Sequence, residues 1–126
     1  MGDLTANFSV SEWKCHDGTM PPPECMDNVL KCARNLQVLR DHLGKPITII
    51  SGYRTKAYND KIGGADKSLH MTGHAADIRV AGMTPKEVLG AVLHLIETDK
   101  MHNGGVGVYD SFVHVDVRSG PARWQG

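Results

Sequence analysis

Two segments of the chain repeat apolar residues at the three- and four-residue intervals of a helix with one buried face. The first runs from Glu24 to Leu43, and its apolar positions are Met26, Val29, Leu30, Ala33, Leu36, Leu39 and Leu43. Gly44 is expected to end this helix. The second follows the capping residue Thr84 and Pro85, and its apolar positions are Val88, Leu89, Val92, Leu95 and Ile96. The pattern therefore predicts two long amphipathic helices.

Four shorter segments have the composition or the alternation of strands. PITIIS (46–51) is a β-branched run suited to a strand buried on both faces, and AADIRV (75–80), VGVY (106–109) and FVHVDVR (112–118) follow it. Asp110 and Ser111 leave hairpin spacing between the last two strands. Short helical turns are expected in FSVSEWKC (8–15), capped by Ser9 or Ser11, and in AYNDKI (57–62). These elements favour a single α+β domain over residues 1–126, with a small antiparallel sheet packed against two long helices.

The alternation in two of these strands leaves an ionisable face on each. In FVHVDVR, the residues opposite the three valines are His114, Asp116 and Arg118, and in AADIRV, the residues opposite Ile78 and Val80 are Ala75, Asp77 and Arg79. If the two strands pair, Asp77 and His114 can approach each other. His70 precedes the Gly73 break, and a loop there can carry its imidazole over the same face. Two imidazoles and one carboxylate are a ligand set of catalytic zinc sites, whereas calcium prefers six to eight oxygens.

Charge and composition exclude several other classes of protein. The 14 basic residues balance 14 acidic ones, so we do not expect a nucleic-acid partner. No apolar run is long enough for membrane insertion, and the opening MGDLTANFSV lacks the features of a signal peptide. An odd count of three cysteines favours reduced thiols. A metal site built from Cys15, His16, Cys25 and Cys32 is an alternative, although no CxxC pair supports it.

Four motifs in order, SGYRT, SLHMTGHAAD, GGVGVY and FVHVDVR, resemble the zinc D-Ala-D-Ala carboxypeptidase family, which includes phage endolysin peptidases. The resemblance extends from about Phe8 to Trp124. It implies the hedgehog/DD-peptidase fold and a Zn²⁺ ion, with the motif residues His70, Asp77 and His114 as ligands. It also implies that Arg54 lies in the cleft to hold substrate or stabilise the oxyanion, and that Ser68 contacts substrate.

The chain departs from this family at one position. Several members have a glutamate three residues before the last histidine ligand as general base, but this chain has Ser111 there. Asp116, on the polar face beside His114, is the candidate replacement, with His74 as a second candidate. Asp116 could instead form a surface salt bridge with Arg118. Trp124 is expected to be a packing residue or to line the cleft.

The resemblance predicts a zinc peptidase that hydrolyses peptidoglycan stem peptides at bonds to D-amino acids. The predicted partner is the bacterial wall peptide, and we expect a monomer. The expected setting is the cytoplasm until release to the wall or periplasm by phage lysis or from a virion, or export with the signal removed. The alternative is a non-catalytic wall-binding or virion structural module with the same fold. Ser111, which replaces the general-base glutamate, is the reason to retain this alternative. A hedgehog-like signalling domain shares only the fold.

Overall fold

The predicted helices and strands all form in the computed structural model, which describes residues 2–126. The helices are α1 (Met26–Leu43), α2 (Lys56–Lys61) and α3 (Pro85–Glu97). The strands are β1 (Ile47–Ser51), β2 (Ala75–Val80), β3 (Gly105–Val108), β4 (Val113–Asp116) and β5 (Ala122–Gln125). Single 3₁₀ turns lie at Val10–Trp13, Pro23–Cys25 and Leu69–Thr72. The architecture is the expected α+β class.

Cap residues account for the bounds of the two long helices. Gly44 ends α1 in the left-handed region at φ 63°, where a residue without Cβ meets no steric penalty. Thr84 begins α3 with a capping box, in which its hydroxyl accepts from the backbone N–H of Glu87 and the Glu87 carboxylate accepts from the backbone N–H of Thr84. The residue types of Gly44 and Thr84 predicted the end of α1 and the start of α3, so the two helices agree closely with the predicted segments.

The five strands form one sheet in the order β1-β2-β4-β3-β5. Three of the four pairings are antiparallel, but β3 and β5 run parallel. The expected small antiparallel sheet is therefore extended by one parallel strand, β5, which has four residues and which the sequence pattern did not reveal. The expectation that PITIIS is buried on both faces is wrong, because β1 is an edge strand and Thr48 is exposed.

The core lies between α1, α3 and one face of the sheet. Leu36 and Leu39 of α1 and Val92 and Leu95 of α3 belong to the same buried cluster as the sheet residues Ala76, Ile78, Val113 and Val115. The alternation of each strand therefore sends its other side chains, including Asp77 and His114, to the opposite face. The two long helices support the sheet from behind and leave that polar face for a site.

The three cysteines are buried, and no disulfide joins them among residues 2–126. Burial raises the pKa of the Cys32 thiol to about 12, so this side chain stays a neutral core residue. The alternative metal site around Cys15 does not form among residues 2–126, where the single group of potential metal ligands consists of other residues. No helix in the described part of the chain is both long and apolar enough to cross a bilayer.

Candidate metal centre

The register between β2 and β4 brings the first two residues of the centre together. Asp77 and His114 are direct partners in this antiparallel pairing, and Asp77 Oδ1 lies 3.0 Å from His114 Nδ1. Both side chains are buried on the polar face of the sheet. The predicted approach of these two residues is thus confirmed, and it follows from strand alternation and one register.

A tight turn brings the third residue to the same place. His70 lies on the 3₁₀ turn Leu69–Thr72, whose first backbone groups are capped by the Ser68 hydroxyl. Gly73 ends this turn at φ 79°, and a Cβ there would lie 2.9 Å from Val29 Cγ2. The chain can therefore reverse at Gly73 and enter β2. His70 Nε2 consequently lies 3.3 Å from Asp77 Oδ1.

Hydrogen bonds behind each imidazole determine which nitrogen faces the centre. His70 Nδ1 donates to the Gly52 carbonyl at 2.7 Å, which leaves the lone pair on Nε2. In His114 the assignment is reversed, because Nε2 lies 2.8 Å from Asp116 Oδ2 and Nδ1 faces Asp77. Backbone carbonyls and carboxylates are the usual partners behind metal-binding histidines. Both rings are therefore oriented to present a nitrogen to one point.

The donor set fits a zinc ion. One ligand atom from each of His70, Asp77 and His114 lies within 4.8 Å of the others. Zinc bonds of about 2.0–2.1 Å in tetrahedral geometry require ligand atoms about 3.4 Å apart. The two spacings to Asp77 Oδ1 are 3.3 and 3.0 Å, which require only small adjustment. Two nitrogens and one oxygen leave a fourth position for water.

The ionisation of these groups reflects their contacts. Burial alone would raise the pKa of Asp77, but its contacts with His114 and His70 outweigh burial and hold this pKa well below its usual range. Burial would lower the pKa of His114, but its contacts with Asp116 and Asp77 outweigh burial and raise it. Asp77 is therefore an anion, and without metal His114 tends to hold a proton between two carboxylates.

Arg54 lies beside the centre, at the end of β1. Its guanidinium approaches Asp77 Oδ2 at 3.4 Å, the oxygen that does not face the histidines. Nε donates to Ser51 Oγ at 3.2 Å and Nη1 donates to Asn59 Oδ1 at 3.3 Å. These contacts fix the plane of the guanidinium, which also lines the cleft in front of the three candidate ligands. Arg54 therefore lines the cleft, and the substrate-binding or oxyanion role expected for it stays a prediction.

Asp116, the candidate general base, lies behind the His114 ring. Its carboxylate is fully buried and accepts hydrogen bonds from His114 Nε2, the Gly105 N–H at 2.8 Å and the Arg118 guanidinium at 2.8 Å. Burial would raise the pKa of Asp116, but these bonds outweigh it and hold the pKa well below its usual range. A buried, weakly basic carboxylate with both oxygens engaged is poorly placed to take a proton from the cleft. The ion pair with Arg118 forms, although with a buried acid rather than at the surface.

The cleft in front of the centre has a volume of about 660 Å³. One wall is aromatic: Tyr109 stacks on Phe112 at 4.4 Å between centroids, and the Trp124 ring lies 5.0 Å from that of His114. Trp124 thus lines the cleft, the second of the two expected positions. Ser68 lines it too, while its hydroxyl caps the turn of His70. Within residues 2–126, Asp77 is the only carboxylate among the lining residues.

Comparison with known proteins agrees with this geometry. The sequence model of the peptidase M15 family matches residues 4–116. The chain belongs to the peptidase M15 family. The match covers every element of the site from the first 3₁₀ turn to the end of β4, including all three candidate ligands.

Two kinds of named M15 relatives are similar to the chain. It is 38% identical over 86 residues to the peptidoglycan L,D-endopeptidase MepK of Escherichia coli. This alignment covers 63% of this chain and 43% of that protein. It is 39% identical over 73 residues to the zinc D-Ala-D-Ala carboxypeptidase of Streptomyces albus G, covering 57% of this chain and 28% of that protein. A probable MepK of Haemophilus influenzae is 33% identical over 107 residues, covering 79% and 53%. The chain thus spans about half, or less, of the length of these relatives.

Two residues of this M15 site escaped sequence reasoning. Asn59 is fully buried in α2 and holds both Arg54 and the Ala65 carbonyl. Gly105 makes room for Asp116, because a Cβ there would lie 2.2 Å from Oδ2. An asparagine inside a short polar helix and a glycine in GGVG carry no signal of these contacts by themselves. Only the pairing of distant segments reveals them.

Proposed function

We propose that the chain is a zinc-dependent peptidase that hydrolyses peptidoglycan stem peptides at bonds to D-amino acids. The observation that carries the proposal is the convergence of His70 Nε2, Asp77 Oδ1 and His114 Nδ1 beside Arg54 in one cleft. Membership of the peptidase M15 family supports the reaction class. The names of the relatives, a peptidoglycan L,D-endopeptidase and a zinc D-Ala-D-Ala carboxypeptidase, support the substrate.

The three ligand residues have distinct parts in this proposal. Zinc held by them would supply a Lewis acid and a bound water whose pKa is lowered to about 7. Asp77 would use Oδ1 for the ion, since Oδ2 lies toward Arg54. His70 and His114 would present neutral nitrogens, because the Gly52 carbonyl and the Asp116 carboxylate each accept the proton of the other ring nitrogen.

Arg54 would stabilise negative charge that develops on the substrate carbonyl. Its guanidinium is held by Ser51 and Asn59, so little reorganisation is needed when the charge appears. In this proposal Arg54 combines substrate binding with oxyanion stabilisation, as expected from SGYR. Ser68, which also lines the cleft, is proposed to contact the peptide.

Asp116 would act as a positioning residue for His114. The cleft offers no second carboxylate among the described residues, so a proton released there would pass to solvent or to a group other than a carboxylate. The general-base role of Asp116 or His74 stays a prediction, and the contacts of Asp116 do not favour it. His74 is not among the lining residues, and its Nδ1 lies 2.6 Å from the Thr72 hydroxyl.

The cleft suits an anionic peptide. Arg54, Lys67 and Arg118 line it together with the aromatic wall of Tyr109 and Trp124. Guanidinium groups bind carboxylates bidentately, and stem peptides carry free carboxylates. The relatives support two candidate bonds, an L,D cross-link and a terminal D-Ala-D-Ala bond.

Digestion of purified peptidoglycan tests the proposal. The zinc-loaded protein should release products that mass spectrometry identifies, either free D-alanine for a carboxypeptidase or monomers from cross-linked dimers for an endopeptidase. Chelation should abolish release and added zinc should restore it. A zinc-loaded protein that releases nothing from cross-linked or uncross-linked peptidoglycan would contradict the proposal.

A second candidate is a wall-binding or virion structural module without turnover. Ser111 in place of the family glutamate, together with a cleft whose single carboxylate is a candidate ligand, favours it over other non-enzymatic functions. Sedimentation with purified wall measures this binding. Binding without chelator-sensitive release would support the module.

A monomer that reaches the wall through phage lysis, from a virion or by export remains our proposal for its setting.

A further inference from the structure

A second concave surface lies beside the end of β4. It has a volume of about 500 Å³ and shares no lining residue with the metal-centre cleft. We call it the basic pocket, and its polar and charged lining residues are Lys31, Arg34, Asn35, Lys100 and His102. They come from α1 and from the segment after α3, while Val38 and Val117 supply apolar lining.

The charge of the basic pocket is uncompensated. Lys31, Arg34 and Lys100 are exposed, and none of them lies within 4.0 Å of a carboxylate in residues 2–126. The nearest acids along the chain, Asp27 and Asp99, are exposed and form no such pair either. The chain as a whole is neutral, so three cations around one concavity are a local concentration of charge.

A buried donor without a partner lies in the same wall. Asn35 is only 7% exposed, and its Oδ1 accepts a hydrogen bond from the His102 N–H at 2.8 Å. That bond fixes the amide orientation and leaves Nδ2 with no partner among the described residues. Buried amide donors are nearly always satisfied in folded proteins, so Nδ2 is a donor that lacks its usual acceptor.

His102 connects the basic pocket to the cleft. Its Nε2 donates to the Arg118 carbonyl at 2.6 Å, and the Arg118 side chain lines the cleft. The ring is therefore held in place by a residue that belongs to the other site. A ligand in the basic pocket would lie next to Val117, between Asp116 at the end of β4 and Arg118.

We propose that the basic pocket binds a phosphate group. Three of its lining side chains, Lys31, Arg34 and Lys100, are cations, so the ligand must offer negative charge and acceptors. A phosphate supplies several acceptor oxygens and more charge than a single carboxylate, which matches three unpaired cations better. The source is either free inorganic phosphate or a phosphodiester polymer of the wall. The second source rests on the proposed function, since it would tether the wall beside the cleft.

Titration of the isotope-labelled protein with inorganic phosphate tests the binding. The side-chain amide of Asn35 and the backbone amides of residues 100–102 should shift together and reach saturation, in the zinc-free protein as well as the zinc-loaded one. Acetate and chloride at equal ionic strength are the controls, and neither should saturate these signals. A linear response, or the same response to acetate, would overturn the proposal.

Two variants locate the binding. The double variant K31Q/R34Q should bind phosphate about tenfold more weakly, since charge-assisted hydrogen bonds dominate such sites. K86Q removes an exposed lysine of α3 and should bind as the unaltered protein does. Equal affinity in all three proteins would show that the basic pocket is not the site.

Walls with and without their phosphodiester polymers separate the two sources. If the polymer is the ligand, stripping it or introducing K31Q/R34Q should reduce sedimentation of the protein with the wall. If free phosphate is the ligand, only the phosphate titration should depend on the double variant. Cleavage of a soluble stem peptide is measured in parallel, so that loss of wall tethering is distinguished from failure of the proposed peptidase activity.

Discussion

Asp77 and His114 face each other across β2 and β4, with Oδ1 of the aspartate 3.0 Å from Nδ1 of the histidine. A single register of two antiparallel strands thus supplies two of the three candidate ligands. Since each strand also sends alternate residues into the core, a shift by one residue would bury the ligands among the valines. The packing of α1 and α3 behind the sheet therefore maintains the centre.

Removal of either candidate histidine ligand should remove the metal. With H70A or H114A, only two protein ligands remain, which is too few to hold one zinc ion per protein molecule. Zinc content after gel filtration, measured by mass spectrometry, checks this. H94A, which removes an exposed histidine of α3, is the control and should keep its zinc. Stoichiometric zinc in H70A or H114A would refute the ligand assignment.

Replacement of Asp116 distinguishes positioning from base catalysis. Loss of the partner behind a metal-binding histidine typically weakens metal affinity by about 10–100-fold, so D116A should bind zinc more weakly by that factor. D116N keeps an acceptor for His114 Nε2 and should recover part of the affinity. Competition with a chelator measures both. Unchanged zinc affinity in D116A with lost turnover would favour the general-base hypothesis instead.

Zinc binding should depend on the protonation of His114. Its pKa in the metal-free protein is raised above 6.5, so at lower pH the ion must displace a proton from Nδ1. Affinity should therefore fall as the pH drops through this raised pKa, by roughly tenfold per pH unit once the proton is bound. Competition titrations across neutral pH measure it. If the zinc affinity stayed independent of pH down to the pKa of an ordinary histidine, that result would be inconsistent with the contacts of His114.

A methyl group at Gly105 should disturb the centre from behind. The Cβ of G105A would lie 2.2 Å from Asp116 Oδ2, so the carboxylate or the strand has to move. Such overpacking usually costs about 1–3 kcal/mol of unfolding free energy, and here it should also weaken zinc binding. G90A is the control, because a Cβ on this exposed residue of α3 meets nothing within 4 Å. It should stabilise the helix by about 0.5–1 kcal/mol. Thermal unfolding with and without zinc compares them, and equal behaviour would argue against the role of Gly105.

Arg54 should affect turnover more than metal binding. R54K keeps a positive charge but loses the fork that Ser51 and Asn59 orient. Loss of one oxyanion donor typically lowers kcat by about 10²–10³-fold, whereas zinc content should be unchanged. The rate of product release from wall peptides, measured beside zinc content, checks this. A rate close to that of the unaltered protein would exclude Arg54 from stabilising the transition state.

The centre was predictable from the sequence because two of its three candidate ligands lie on regular strands. Strand alternation places Asp77 and His114, and Gly73 marks the turn of His70. Prediction failed where contacts depend on tertiary pairing alone. β5 (ARWQ) contains no β-branched residue, and β1 has the composition of a central strand although it lies at the edge. The side of the His114 ring on which Asp116 lies depends on a rotamer, which alternation does not determine.

The position of the metal tests the account most directly. Crystals of the zinc-loaded protein, measured at wavelengths on both sides of the zinc absorption edge, should give one strong anomalous peak among His70 Nε2, Asp77 Oδ1 and His114 Nδ1. The imidazole of His114 should coordinate through Nδ1, with Asp116 at Nε2. A peak at the cysteines, or none at these three residues in a protein that contains zinc, would contradict the account.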